Sequence, residues 1–146
     1  MPTIKSLKTP LRYPGGKSRA LVKLLQFLPD LSRVKEYREP FLGGGSVALE
    51  ITKRYPNIEV WVNDLYWPLY NFWCELQHNG HELEKELSNL KGVHCNQDSA
   101  RCLFSEMRDV INDKTKTDLE RAVAFYVVNK CSFSGLTESS SFSAQA

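Results

Sequence analysis

The 146-residue sequence predicts an α/β fold that opens with a βαβ unit. The clearest strand is residues 58–64, where β-branched and aromatic residues alternate, and a shorter strand candidate is residues 37–41. A glycine turn and a helical pattern separate the two, and a right-handed crossover of this kind makes the strands parallel. Because two strands are too few for a stable parallel sheet, we expect the sequence to be the incomplete opening of a larger α/β domain.

The composition is that of a globular protein, with 42% hydrophobic and 25% charged residues. No apolar run approaches the length of a membrane span, so no membrane partner is expected. The cysteines form no C-x-x-C pair, which favours reduced thiols in a cytosolic protein. The net charge of +2 does not indicate nucleic-acid binding by itself. Six basic residues precede the first acidic one, Asp30, and suit either phosphate contact or a solvated helix face.

The remaining elements are predicted by helical periodicity. Residues 18–28 form an amphipathic pattern that stops at Pro29, and Ser46 is expected to cap a helix over residues 47–54. Further helical patterns cover about 68–78, 82–90, 100–111 and 118–129. The aromatic residues of segment 61–73 are expected to pack in the core. The segment from Ser132 onward is polar and rich in serine.

The stretch "RYPGGKS", residues 12–18, ends like a nucleotide-binding P-loop. The complete motif is G-x-x-x-x-G-K-[ST] and follows a buried strand. Here the first glycine of that motif would fall on Leu11, and residues 1–10 are short and basic, with a proline near each end. The P-loop is therefore disfavoured, and these glycines need another explanation.

A second glycine turn lies between the two predicted strands, at Gly43, Gly44 and Gly45. Without Cβ atoms a ligand can approach the backbone there, and the following helix offers free N–H groups. Asp64 closes the next strand about 20 residues later, where an acid binds ribose hydroxyls in dinucleotide-binding folds. Each feature alone also fits a tight turn or a helix cap, but together they favour an adenosine-containing ligand in a hollow between the glycines and Asp64.

The charge near this turn indicates which ligand. Glu39 precedes the glycines and would repel a pyrophosphate, whereas it suits an amino group. Aromatic faces at Phe41 or Tyr13 can attract a sulfonium. S-adenosylmethionine has adenosine, an ammonium and a sulfonium but no phosphate, so charge favours this methyl donor as the cofactor.

Four motifs in order, "RYPGGKS", "EPFLGGGSVALE", "VWVNDLY" and "NKCSFSGLTES", resemble the adenine-specific DNA methyltransferases of the Dam-like family. The resemblance covers nearly the whole chain and implies a Rossmann-like, S-adenosylmethionine-dependent methyltransferase fold. It implies an S-adenosylmethionine-binding α/β part in residues 1–80, and in residues 81–146 a helical segment leading into the DNA-recognition region. It further implies methylation of adenine in double-stranded DNA, in the cytoplasm of a bacterial cell or a phage-infected host.

The resemblance also implies roles for individual residues. Those expected to bind S-adenosylmethionine are Tyr13, Pro14, Gly15, Lys17, Glu39, Pro40, Phe41, Gly43, Gly45, Ser46, Asp64 and Leu65. Those expected to lie near DNA are Lys130, Phe133, Ser134 and Gly135. Lys130 stands where the family more often has arginine, which keeps the charge but loses any bidentate contact.

The family's catalytic Asp-Pro-Pro-Tyr or Asp-Pro-Pro-Phe motif does not occur in these residues, so no catalytic residue is predicted. We expect no methyl transfer by this chain alone, which would be either truncated or completed by a second polypeptide. The alternatives are a nucleotide-binding oxidoreductase-type domain and a noncatalytic DNA-binding remnant. His78 and His81 lack an obvious third and fourth ligand, so no metal is expected.

Overall fold

The computed structural model describes residues 8–17, 20–138 and 140–143. The chain divides into two compact units, the first up to Leu65 and the second from Tyr66 onward. This division lies earlier than the predicted boundary after residue 80, and the helix predicted over residues 68–78 belongs to the second unit. None of the helices in the described residues is both long enough and apolar enough to span a membrane.

The first unit contains the βαβ opening. Its elements are α1 (Leu21–Leu25), β1 (Glu36–Glu39), α2 (Ser46–Arg54) and β2 (Glu59–Val62). The two strands pair in parallel, with Glu36 opposite Glu59 and Glu39 opposite Val62. The predicted parallel pairing is therefore confirmed, and both strands end at the same edge of the sheet.

A small core holds the first unit together. Val47 and Ile51 on one face of α2 are buried with Leu31, and the partly buried side chains of Tyr37 and Val60 pack against them from the strands. Apolar residues four apart on α2 lie on the same helix face, which is why this stripe can cover the sheet.

The first helix is shorter than predicted. Of the predicted residues 18–28, the first two lie outside the described part of the chain, and the helix covers only Leu21–Leu25. The N–H groups of Phe27 and Leu28 donate to carbonyls three residues earlier, which is the tighter 3-10 pattern. Phe27 is 78% exposed, so packing does not support a further α-helical turn.

The second unit is helical. Its elements are α3 (Trp67–His78), α4 (Gly80–Val93), α5 (Gln97–Val110), α6 (Asp118–Cys131) and a short 3-10 turn (Phe133–Gly135). α6 packs against α3, α4 and α5, and its buried residues lie all around its circumference, as expected for a central helix. All four predicted helices occur, although α4 and α5 begin earlier than the sequence pattern indicated.

The predicted aromatic core is correct for Phe72 and wrong for several neighbours. The ring of Phe72 is buried and stacks on Tyr126, with ring centroids 5.6 Å apart. By contrast, the side chain of Trp61 is 56% exposed, and Trp67 and Tyr70 are also exposed. The guanidinium of Arg121 lies 3.6 Å from the ring centroid of Trp67, which makes a cation–π contact possible without burying the ring.

Candidate functional site

The glycine turn and Asp64, which were predicted to bound the ligand site, lie close together at the edge of the sheet where β1 and β2 end. The strand pairing continues beyond the strands, because the Asn63 N–H donates to the Glu39 carbonyl (3.0 Å) and the Leu42 N–H to the Asn63 carbonyl (2.9 Å). One residue further, the Gly43 N–H donates to Oδ2 of Asp64 at 2.8 Å. The predicted proximity of Asp64 to the glycine turn is therefore confirmed, because this hydrogen bond joins the Asp64 carboxylate directly to the backbone of the turn.

Glycine is needed in this turn for its backbone conformation. Gly43 has φ of 54° and Gly45 has φ of 70°, in the left-handed region that other residues enter at a cost. Gly45 directly precedes α2 and, as a glycine, has no side chain with which to cap the helix. The prediction that Ser46 caps α2 is wrong, because Ser46 is already the first residue of the helix.

The first glycine motif forms a β-turn beside this one. The Gly16 N–H donates to the Tyr13 carbonyl (2.9 Å), with Pro14 and Gly15 at the centre of the turn. Proline followed by a residue with positive φ, here 68° at Gly15, is the arrangement of a type II turn.

Tyr13 packs directly on the second glycine turn. A Cβ atom placed on Gly43 would lie 3.0 Å from the Tyr13 ring, and one placed on Gly44 would lie 2.9 Å from the Tyr13 Cβ. Glycines at these positions therefore make room for the tyrosine. Burial raises the pKa of the Tyr13 phenol, and the negative charge of Asp64 raises it further.

A cavity of about 280 Å³ opens at this edge. Nine of the twelve predicted cofactor residues line it: Tyr13, Gly15, Lys17, Glu39, Phe41, Gly43, Gly45, Ser46 and Asp64. Pro14, Pro40 and Leu65 are exposed residues that are not part of its lining, and Leu65 is 90% exposed. The lining also includes Gly16 and Gly44, which belong to the two glycine motifs singled out in the sequence, and Leu42 and Val47, which carried no chemical signal in the sequence.

Glu39 is a cavity-lining acid whose pKa is shifted by its surroundings. Burial raises the pKa of its carboxyl group; the positive charge of Lys17 and hydrogen bonds from the Ala48 N–H and the Tyr37 hydroxyl oppose this rise in part. Because Ala48 lies in the first turn of α2, Glu39 satisfies one of the free N–H groups at that helix start. Burial and the neighbouring Glu39 raise the pKa of Tyr37 to about 12.

The charged side chains of the lining are two carboxylates and one ammonium, those of Glu39, Asp64 and Lys17. This balance suits a ligand that carries positive charge and hydroxyl donors better than one that carries phosphates. No group of three or more metal-ligating side chains occurs within the part of the chain that the structure describes.

The four predicted DNA-contacting residues lie at the end of α6 and just beyond it. The Lys130 ammonium is 5.3 Å from the centroid of the Tyr126 ring, and Phe133 and Ser134 are exposed. Gly135 is buried and has φ of 75°, a left-handed turn conformation that suits glycine.

The sequence of this chain is similar to those of known DNA methyltransferases. Residues 13–146 match the family model of the D12 class N6 adenine-specific DNA methyltransferases. The Type II methyltransferase M.MjaIII of Methanocaldococcus jannaschii is 28% identical over 134 residues, covering 86% of this chain and 46% of that protein. The DNA N-6-adenine-methyltransferase of Escherichia phage P1 is 30% identical over 126 residues, covering 86% of this chain and 15% of that protein. The chain spans less than half the length of these relatives.

Proposed function

This chain belongs to the D12 class N6 adenine-specific DNA methyltransferase family, and on that premise we propose that it supplies the S-adenosylmethionine-binding part of a site-specific DNA adenine methyltransferase. The observation that carries the proposal is the contact between Gly43 and Asp64 at the edge of two parallel strands. Ligands bind parallel α/β sheets at the carboxyl ends of the strands, where this cavity lies.

The residues of the cavity fit the chemical groups of this cofactor. The Asp64 carboxylate can accept hydrogen bonds from ribose hydroxyls, and its orientation is fixed by the Gly43 N–H. The Glu39 carboxylate can bind the ammonium of the methionine portion. The left-handed Gly43 and Gly45 keep the backbone open to the ligand. The Glu39 carboxylate beside the glycine turn would repel a pyrophosphate, which disfavours a dinucleotide and with it an oxidoreductase-type function.

When bound, S-adenosylmethionine would supply the methyl group for the exocyclic amino group of adenine in double-stranded DNA. We place Lys130, Phe133, Ser134 and Gly135 near that DNA, since exposure of Phe133 and Ser134 leaves them accessible to it. The Asp-Pro-Pro motif absent from this sequence would come from other residues of the enzyme or from a second polypeptide. The proposed location is the cytoplasm of a bacterial cell or a phage-infected host, where such DNA is found.

Titration calorimetry with S-adenosylmethionine and with NAD tests the cofactor assignment. Asp64→Asn keeps the shape of the side chain and an acceptor for Gly43, but it removes the charge that receives the ribose hydroxyls. We expect it to weaken S-adenosylmethionine binding about tenfold, the loss expected for hydrogen bonds to a charged group. Glu59→Gln removes the same charge at the far end of β2 and should leave binding unchanged. Tighter binding of NAD, or equal binding by both variants, would contradict the assignment.

A further inference from the structure

The segment after α6 exposes one aromatic ring while the backbone around it is held in place. We call residues 132–138 the Phe133 loop; the side chain of Phe133 is 67% exposed in it. Ser132 pairs with Phe142 in an antiparallel bridge. The Phe133 N–H donates to the Ser141 carbonyl at 3.1 Å, and the Ser143 N–H donates to the Cys131 carbonyl at 2.8 Å. The exposed ring is thus carried by a backbone with fixed partners.

The backbone of this loop adopts a conformation that needs support. Ser134 has φ of 56°, the one positive value of a non-glycine residue among the described residues, and Gly135 follows with φ of 75°. A residue with a Cβ atom in the left-handed region is disfavoured, and such residues persist where surrounding contacts hold them. The Leu136 N–H closes the turn on the Phe133 carbonyl at 3.3 Å.

One contact from α6 reaches the centre of this turn. Asn129 is 1% exposed, and its side-chain Nδ2 donates to the carbonyl of Gly135 at 2.9 Å. Its backbone carbonyl also accepts a hydrogen bond from the Ser132 hydroxyl at 3.3 Å. A buried amide is costly unless it is hydrogen-bonded, so this side chain ties the left-handed turn to the end of the central helix.

We propose that Asn129 is a positioning residue, which acts through the Phe133 loop by holding the turn that presents the Phe133 ring to DNA. The inference rests on the DNA-contacting part of the proposed function and adds to it a residue that does not touch the DNA. Without the Nδ2 donor, the Gly135 carbonyl loses its partner, and the Ser134–Gly135 turn relaxes toward negative φ. The ring then samples several positions instead of one.

A double-mutant cycle in duplex affinity tests this proposal with the full 146-residue chain. Asn129→Ala and Phe133→Ala are each expected to weaken binding of a fluorescein-labelled duplex about tenfold, as for loss of one aromatic contact with a base. In the Phe133→Ala background, Asn129→Ala should cost less than a further twofold, because its effect passes through that ring. Asn89→Ala, an exposed asparagine on α4, is the matched control and should change nothing.

Two further readouts make every outcome decisive. Amide hydrogen exchange at Leu136 should accelerate in Asn129→Ala, while exchange in the centre of α6 stays slow. If Asn129→Ala unfolds α6, the variant Asn129→Asp is used in its place, because it keeps the shape of the side chain but lacks the Nδ2 donor. The positioning role is overturned if Asn129→Ala weakens duplex binding equally with and without Phe133, or if it does not weaken duplex binding at all. An unsubstituted chain that binds no duplex overturns it together with the DNA half of the proposed function. Calorimetry with S-adenosylmethionine reports the donor site separately.

Discussion

Glu39 is a residue whose charge opposes folding and, in our proposal, serves ligand binding. Its folded-state pKa is raised above the ordinary value, chiefly by burial. A carboxyl with a raised folded pKa binds more protons in the folded state, so stability falls as the pH rises from the unfolded pKa through the folded one. The ionised group therefore lowers the free energy of unfolding at neutral pH.

Glu39→Gln should consequently have opposite effects on stability and on binding. The amide keeps an acceptor for the Ala48 N–H and the Tyr37 hydroxyl while removing the charge. We expect a higher free energy of unfolding at pH 7, a difference that disappears below the unfolded pKa, and about tenfold weaker S-adenosylmethionine binding. Urea unfolding as a function of pH and calorimetry measure the two effects. Weaker binding accompanied by lower stability at pH 7 would argue against this role of the charge.

Gly44 is predicted to be needed for the space it leaves rather than for its backbone angle. A Cβ atom there would come within 2.9 Å of the Tyr13 Cβ, so Gly44→Ala must displace the tyrosine segment. We expect a loss of roughly 1–3 kcal/mol, typical of overpacking, and a Tyr13 pKa that returns toward its ordinary value as burial is lost. Urea unfolding and NMR titration of the Tyr13 ring measure these changes.

Gly92→Ala is the control for that substitution. Gly92 lies in α4, and a Cβ atom on it meets nothing within 4 Å. Alanine is the better helix former, so this variant should be about 0.5–1 kcal/mol more stable. If both variants behave alike, the contact with Tyr13 is not what requires glycine at position 44.

The sequence predicted the polar and glycine residues of this cavity better than its apolar ones. Glycine runs, Glu39 and Asp64 stand out because their chemistry is unusual beside a strand end. Leu42 and Val47 line the same cavity but look like any core residue in the sequence. The packing of Tyr13 on the glycine turn joins residues about thirty positions apart in the chain, and no local sequence pattern predicts such a contact.

At the scale of elements, α6 holds the second unit together and begins with the most complete cap in the described structure. The Glu120 N–H donates to the Thr117 hydroxyl (3.2 Å), and the Thr117 N–H donates to Oε2 of Glu120 (2.8 Å). This reciprocal pair is a capping box, and it satisfies two free donors at the helix start. The hydrogen bonds that the Thr117 N–H and hydroxyl donate to the Glu120 carboxylate lower the pKa of Glu120, so their contribution to stability is lost as the pH falls through the folded pKa.

Thr117→Ala should therefore destabilise the second unit by about 1 kcal/mol, as loss of an N-cap does. Circular dichroism during urea unfolding measures the change, together with hydrogen exchange in α6. Ser105→Ala removes a hydroxyl from an exposed position within α5 and should leave stability unchanged or slightly higher. An equal loss in both variants would mean that the cap does not limit the stability of α6.

Helix existence was predictable from periodicity, whereas helix ends were not. α3 and α6 follow the predicted segments closely because their starts carry local signals, a proline at the start of α3 and the Thr117 cap of α6. α1 ends before its apolar pattern does, since exposed Phe27 gains nothing from another turn. The predicted Ser46 cap was wrong because Gly45, in the left-handed conformation, occupies the N-cap position of α2. The sequence has three consecutive glycines there, and it does not show which of them adopts that conformation.

At the scale of the whole molecule, each compact unit carries a different half of the proposed function. The cavity with Glu39 and Asp64 belongs to the first unit, and the Phe133 loop belongs to the second. The family match covers both, since it extends over residues 13–146. Cofactor binding and DNA binding are therefore expected to respond to separate sets of substitutions, with Asp64→Asn affecting the first and Phe133→Ala the second.

Binding and turnover should also be separable in the polypeptide of this sequence. The residues proposed to hold S-adenosylmethionine are present, but no Asp-Pro-Pro motif is available to accept hydrogen bonds from the target amino group. We expect calorimetry to detect cofactor binding in a sample that transfers no labelled methyl group to adenine in duplex DNA. The phage P1 DNA N-6-adenine-methyltransferase assayed in parallel serves as the positive control. If the 146-residue polypeptide instead transfers methyl groups, and this transfer is lost in Asp64→Asn, then residues of this polypeptide accept the hydrogen bonds of the target amino group. The proposal that other residues or a second polypeptide supply this acceptor would then be wrong.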